Sequence, residues 1–173
     1  MDVKDLLAKQ EEMKKKALNT KNDKENEVTK LMTFLIGKQV YGIEIPYVVE
    51  IIGVPHITAV PSVPYYIKGI INVRSKVVPV VNLRARFGKE EIPYNERTCT
   101  IIVTMDDTQV GIIVDEVLDV LPVYEKNIAQ SPERKDVNSN KFIKYLLELP
   151  DGIKLVLDVN KLIYDGDQYG MMD

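Results

Sequence analysis

Apolar residues in this chain gather in short runs rich in β-branched side chains, each closed off by polar turn residues. Ile70-Ile-Asn-Val73 and Val77-Val-Pro-Val-Val81 flank the polar trio Arg74-Ser75-Lys76. Side chains branched at Cβ pack well on a pleated surface, so each run predicts a strand and the trio the hairpin turn between them. Asn82 then stands where a helix N-cap belongs, Leu83 and Phe87 are one helical turn apart, and Gly88 can end the turn. The predicted unit is strand, turn, strand, short helix.

That unit occurs twice. Shifted by 76 residues, 67–87 falls without a gap on 143–163, matching Ile70-Ile71 to Leu146-Leu147, Val80-Val81 to Val156-Leu157 and Asn82 to Asp158. The turn trio meets Pro150-Asp151-Gly152, which is turn chemistry on its own terms. A second match precedes each copy at an offset of 69, placing Gly42 on Gly111, Val48 on Val117 and Glu50 on Asp119. A period near 70 is too long for a solenoid repeat and too short for two large domains. Two copies of one small β-rich unit are expected.

Around these matches the first copy reads as strands at 31–36 and 40–45, a short helix over 46–51 begun by Pro46, and an extended, proline-flanked edge segment over 54–64. Pro79 cannot donate to a ladder, so its strand must leave that amide position unpaired. The second copy reads as strands at 97–105 and 109–114, a short helix at 115–120, a loop at 121–141 with one possible helical turn at 127–129, the second hairpin, and a helix at 159–164. Strands this short, with helices of one or two turns, should close as small barrels. The fold class expected is therefore all-β with a few short helices: two barrels in tandem from an internal duplication, units 30–88 and 97–164. A flexible N-terminal tail (1–29) and a C-terminal tail (165–173) flank them. Residues 1–29 carry seven lysines against seven acids and little apolar surface to offset ordering entropy, so a frayed helix and a polar linker are expected there.

Composition narrows the function. The formal charge of −3 is carried entirely by the residues after the neutral tail, with no basic bias to attract nucleic acid. His56 is the sole histidine and Cys99 the sole cysteine, so a zinc site lacks ligands, and a Ser-His-acid or Cys-His centre would have to use His56 in its proline-flanked loop, which disfavours it; Cys99 in an apolar run reads as a buried small hydrophobe. No Gly-x-Gly or Gly-Lys-Ser/Thr phosphate loop occurs. No apolar run of membrane-spanning length and no signal-peptide pattern occurs, so a cytoplasmic protein without membrane insertion is expected. The apolar content is spent on strands, which suits a protein that binds proteins.

The motifs Tyr41-Gly-Ile-Glu-Ile, Gly69-Ile-Ile-Asn-Val-Arg74, Val78-Pro-Val-Val-Asn-Leu-Arg84 and Val110-Gly-Ile-Ile-Val-Asp115 resemble the CheW family of bacterial chemotaxis coupling proteins, from about residue 30 to 164. The resemblance implies two five-stranded SH3-like barrels and a non-catalytic adaptor, with no cofactor. The adaptor would join the cytoplasmic tips of chemoreceptors (methyl-accepting chemotaxis proteins) to the regulatory domain of the histidine kinase CheA, recruited to membrane receptor arrays. By motif position, Val48, Glu50, Gly69, Arg74 and Val117 match places associated with receptor or kinase contact. Each has an ordinary alternative: core for Val48 and Val117, a solvated face for Glu50, a tight-packing or positive-φ backbone requirement for Gly69, and pairing with Glu50 or another nearby acid for Arg74. Arg84 and Arg86 are expected as exposed helix charges. Ser75, Asn82 and Tyr145 depart from the family pattern, which usually has glycine, aspartate and a small residue there.

A second class of function is a stand-alone barrel binding single-stranded nucleic acid or oligosaccharide. Such barrels need a basic groove with exposed aromatics; here the core segment is acidic and tryptophan is absent. The adaptor reading is preferred, and an enzyme comes third.

Overall fold

A computed structural model describes residues 2–18, 26–129 and 141–164. Its first hairpin joins β1 (Glu27–Ile36) to β2 (Gln39–Glu44), followed by β3 (Val48–Ile52), β4 (Ile67–Val73) and β5 (Lys76–Asn82). The second half supplies β6 (Cys99–Met105), β7 (Thr108–Val114), β8 (Glu116–Tyr124), the two-residue β9 (Ile128–Ala129), β10 (Ile143–Leu149) and β11 (Gly152–Leu157). Among the described residues three α-helices complete it: α1 (Val3–Leu18), α2 (Leu83–Arg86) and α3 (Val159–Tyr164).

The strands form two sheets, in the orders β8-β1-β2-β11-β10-β9 and β3-β6-β7-β5-β4, the pair of SH3-like barrels expected. Their composition differs from the expected one. Each sheet takes the leading hairpin of one copy and the third strand and trailing hairpin of the other. The boundary between 30–88 and 97–164 separates the sequence copies but not the sheets. Partner choice between strands is a long-range matter of burial that a repeat cannot reveal, because both pairings present the same apolar faces.

The duplication itself is exact at the level of register. Met32 faces Val120 as Ile101 faces Ile51, and Phe34 faces Val117 as Val103 faces Val48. Val156 lies beside Gly42 in a parallel pairing as Val80 lies beside Gly111. Even the β-bulge recurs, between Ile67 and Gly69 and between Ile143 and Tyr145. Pro79 pairs with Ile70 on one side, and the parallel pairing of β5 with β7 begins only at Val80, so no ladder bond is missed.

Two expected helices are strands. At 46–51 the proline signal yields one 3-10 turn, Ile45–Tyr47, before Val48-Val-Glu-Ile-Ile52 extends as β3. At 115–120 the chain bends at Asp115 and runs on as β8, which also absorbs the start of the expected loop, with Pro122 opposite Lys30. In both places β-branched residues beside an unpaired sheet edge outweigh a weak helical start. The single turn expected at 127–129 forms two residues earlier, at Glu125–Asn127, and Ile128–Ala129 pairs with β10. The rest of the loop, the tail 165–173 and the linker 19–25 lie outside the described residues.

Both capping residues act as the sequence suggests. Asn82 Oδ1 accepts from the Ala85 amide at 3.1 Å, and Asp158 Oδ1 from the Lys161 amide at 3.2 Å. One continuous apolar cluster, including Phe34, Tyr41, Leu83, Phe87, Ile101 and Phe142, fills the space between the sheets. The N-terminal helix is not merely appended to this core: Val3 and Leu6 are buried in it, and α1 rests on β3 and β8. Residues 27–29, expected in the tail, belong to β1.

Candidate functional site

The β4–β5 turn holds Arg74 and Ser75 with φ of 51° and 67°, a left-handed pair of the kind that matches strand twist in two-residue hairpins. The Arg74 side chain is 81% exposed, yet it is not loose. Its Nε donates to Glu50 Oε1 and its Nη2 to Glu50 Oε2, each at 3.1 Å, a two-point clamp onto β3 at the opposite edge of the same sheet. The bond to Glu50, and then its charge, raise the Arg74 pKa further. Glu50 is 15% exposed, so the pair presents chiefly guanidinium to solvent. Beside it opens a cleft lined by Val3, Lys4, Val49 and Lys76.

Of the five residues singled out in the sequence, the fold thus brings Glu50 and Arg74 together. Val48 and Val117 occupy equivalent places on β3 and β8, in different sheets, both half-buried against the central cluster. Gly69 is buried near the base of the β4–β5 hairpin with φ 143°. A Cβ there would strike the Thr58 carbonyl, whose residue bridges β4 at Ile70. Its glycine requirement is therefore a close approach of two backbones.

Residues 30–167 match the family model described as CheW-like domain. The chain belongs to the CheW-like family. Chemotaxis protein CheW of Klebsiella aerogenes is 33% identical over 132 residues, 76% of this chain and 80% of that protein. CheW of Bacillus subtilis is 32% identical over 134 residues, 78% and 86% of the two chains. The scaffolding protein TtCheW from Thermoanaerobacter tengcongensis superposes with a TM-score of 0.77 at 28% identity, covering 84% of this chain and 99% of that one.

Within this CheW-like domain two arginines depart from the sequence expectation. Arg84 is half-buried, and its Nε and Nη2 reach Asp115 at 2.9 Å (Oδ1) and 2.6 Å (Oδ2). The Gly37 amide donates to the same Oδ2 at 2.7 Å, so Asp115 ties the β1–β2 turn of one sheet to α2 beside the other. Burial pushes the Asp115 carboxyl up, but the Arg84 bonds and the Gly37 amide outweigh it and hold the pKa below the ordinary value. Arg86 is buried, its guanidinium 4.2 Å from the Tyr66 ring centre and 4.7 Å from that of Phe142. Tyr66 and Phe142 are counterparts in the repeat, so Arg86 sits where the two copies converge. An i, i+2 pair of arginines on a four-residue helix gives no hint of either role; both depend on segments far away in sequence.

A third polar cluster joins β2 to β10. Glu44, buried on β2, accepts from Lys144 Nζ at 2.7 Å and from the Tyr145 hydroxyl at 3.0 Å. Burial, then the Glu44 carboxylate, raise the Tyr145 pKa well above its usual value. Tyr145 is the repeat counterpart of Gly69, so at one bulge the fold requires a glycine and at the other it carries a bonded tyrosine. Among the described residues no group of three or more His, Cys, Asp or Glu could hold a metal, and no helix is long and apolar enough to cross a membrane.

Proposed function

We propose that this chain is a non-catalytic adaptor of bacterial chemotaxis, acting in the cytoplasm at receptor arrays, where it binds chemoreceptor cytoplasmic tips and the regulatory domain of the histidine kinase CheA. The observation that carries the reading is the exposed Arg74 guanidinium, held in place by Glu50 on a domain of the CheW-like family. A guanidinium already fixed by one carboxylate loses little freedom on meeting a second acceptor, which favours its use at an interface. Arg74 and Glu50 are assigned to contact; Val48 and Val117 shape the apolar ground behind them; Gly69 sets the hairpin that presents Arg74.

Arg74→Glu reverses the charge and places two carboxylates together at a solvent-exposed site. Thermal melting should barely move, because an exposed pair contributes little. Co-sedimentation with a receptor cytoplasmic hairpin, with the kinase regulatory domain, or with both should fall at least tenfold in affinity, as for an interface arginine. Unchanged binding to both partners removes Arg74 from the interface, and a melt that falls in step with binding makes it structural.

A further inference from the structure

The helix α1 lies outside the stretch that matches the family, and it is seated where equivalent strands of the two repeats lie against one element. It contacts β3 of one sheet and β8 of the other. Val3, Leu6, Leu7 and Gln10 follow an i, i+3, i+4, i+7 stripe; Val3, Leu6 and Gln10 are buried, and Leu7 packs against the same cluster. That cluster holds Ile51 of β3 and its repeat counterpart Val120 of β8, with Val48 and Val117 packed beside them. Toward its start, Asp2, Val3 and Lys4 line the cleft that also contains Glu50 and Arg74. The helix starts well: Asp2 Oδ1 accepts from the Asp5 amide at 3.1 Å.

The geometry points to a helix-binding seam between β3 and β8 that α1 fills in cis, and that a partner's amphipathic helix fills in trans by displacing it. The attachment is suited to exchange. Among residues 3–11, the part of α1 whose side chains are described, two apolar residues are buried, a small hold for one helix on a domain core. The seam is two-sided, walled by residues that the repeat makes equivalent, so it grips a rod rather than a loop. The incoming helix would carry the same spacing, an apolar residue followed three and four positions later by two more, with polar residues opposite. While α1 is seated, only the fraction of molecules with an open seam can bind, and apparent affinity falls by that fraction. The choice of a chemoreceptor tip as the helix in trans rests on the adaptor reading; the seam itself does not.

The test uses the full chain, unaltered and with Leu6→Asp, which places a carboxylate against the apolar wall and unseats α1. Val3→Ser is measured beside it, so that loss of fold in one variant leaves the other to decide. Two probes are titrated: a chemoreceptor cytoplasmic hairpin, and a fluorescein-labelled peptide of residues 1–18 of this sequence. The hairpin should bind the variants about tenfold tighter than the unaltered chain and should compete the labelled peptide away. Equal or weaker hairpin binding by the variants overturns the displacement. If the hairpin binds neither form, the adaptor reading fails, and the peptide alone judges the seam. Peptide binding that shifts the amide resonances of β3 and β8 keeps the seam, and absence of binding removes it.

Discussion

Gly111 of β7 lies beside Val80 of β5, and the absence of a side chain at Gly111 leaves room for Thr100, whose Cγ2 stands 2.9 Å from where a Cβ would be. The same relationship recurs in the other sheet, where Gly42 lies beside Val156 and a Cβ would collide with Leu31. Leu31 and Thr100 are themselves repeat counterparts. Gly42→Val should therefore cost about 1–3 kcal/mol of stability, the usual range for overpacking a filled core. Leu31→Ala in the same chain should recover part of it. Urea denaturation of the single and double variants measures both, and additive losses would show that Leu31 is not the obstacle.

The Arg84–Asp115 pair predicts a pH signature. Asp115 has a lowered pKa in the folded chain, so its contribution is present above the unfolded carboxyl value near 3.9 and disappears as pH falls through the lower, folded value. Arg84→Gln should cost about 1–3 kcal/mol at pH 7. The difference from the unaltered chain should shrink as pH is taken below about 3.9. A gap of constant size across that range would assign Arg84 a packing role without an ionic one.

Tyr145 gives the opposite signature. Its raised pKa means that stability is full below the ordinary tyrosine value near 10 and is lost as pH rises above it. Tyr145→Phe removes the bond to Glu44 and should cost about 1–2 kcal/mol at pH 8. That deficit should narrow between pH 10 and 11, where the unaltered chain alone is penalised for holding this hydroxyl protonated. Chemical denaturation at the two pH values checks it, with a widening deficit as the contrary result.

At the β4–β5 turn, Ser75 adopts φ of 67° with a Cβ to accommodate. Glycine occupies that region freely, and the left-handed conformation costs other residues about 1–2 kcal/mol. Ser75→Gly should accordingly raise stability by about 0.5–1 kcal/mol, part of the gain being lost to the freer unfolded chain. The clamp of Arg74 to Glu50 should persist, since it does not involve residue 75. A lower melting temperature would mean that the Ser75 amide bond to Asn72 Oδ1 needs the serine backbone as it stands.

Much of this fold could be read from residues because the signals were local. Asn82 and Asp158 announce their helices by chemistry that acts three residues away, and both hairpins lie between adjoining apolar runs. The repeat exposed the equivalence of Gly42 with Gly111 and of Val48 with Val117. What was missed depends on contacts distant along the chain. Nothing near Val48 or Glu116 says that an unpaired sheet edge awaits them, so a proline and a few charges read as helix starts. Arg84 and Arg86 looked solvated because Asp115, Tyr66 and Phe142, which receive them, come from elsewhere in the sequence. The Glu50–Arg74 pair could be guessed as one alternative, but its two-point geometry needed the closing of the sheet.

The exchange of hairpins between the two sheets bears on how the chain is made. During synthesis the leading hairpin, β1–β2, leaves the ribosome long before β11, the strand that must lie beside it. The sheet built on β6 and β7 can be completed earlier, because β3, β4 and β5 have already been synthesised. Assembly order is therefore imposed by the direction of translation: the later-numbered leading hairpin finds its partners first. The earlier one waits with an open edge for the C-terminal strands. A stall after residue 129 would leave one sheet whole and the other as a three-stranded remnant, the form most open to capture by chaperones or proteases.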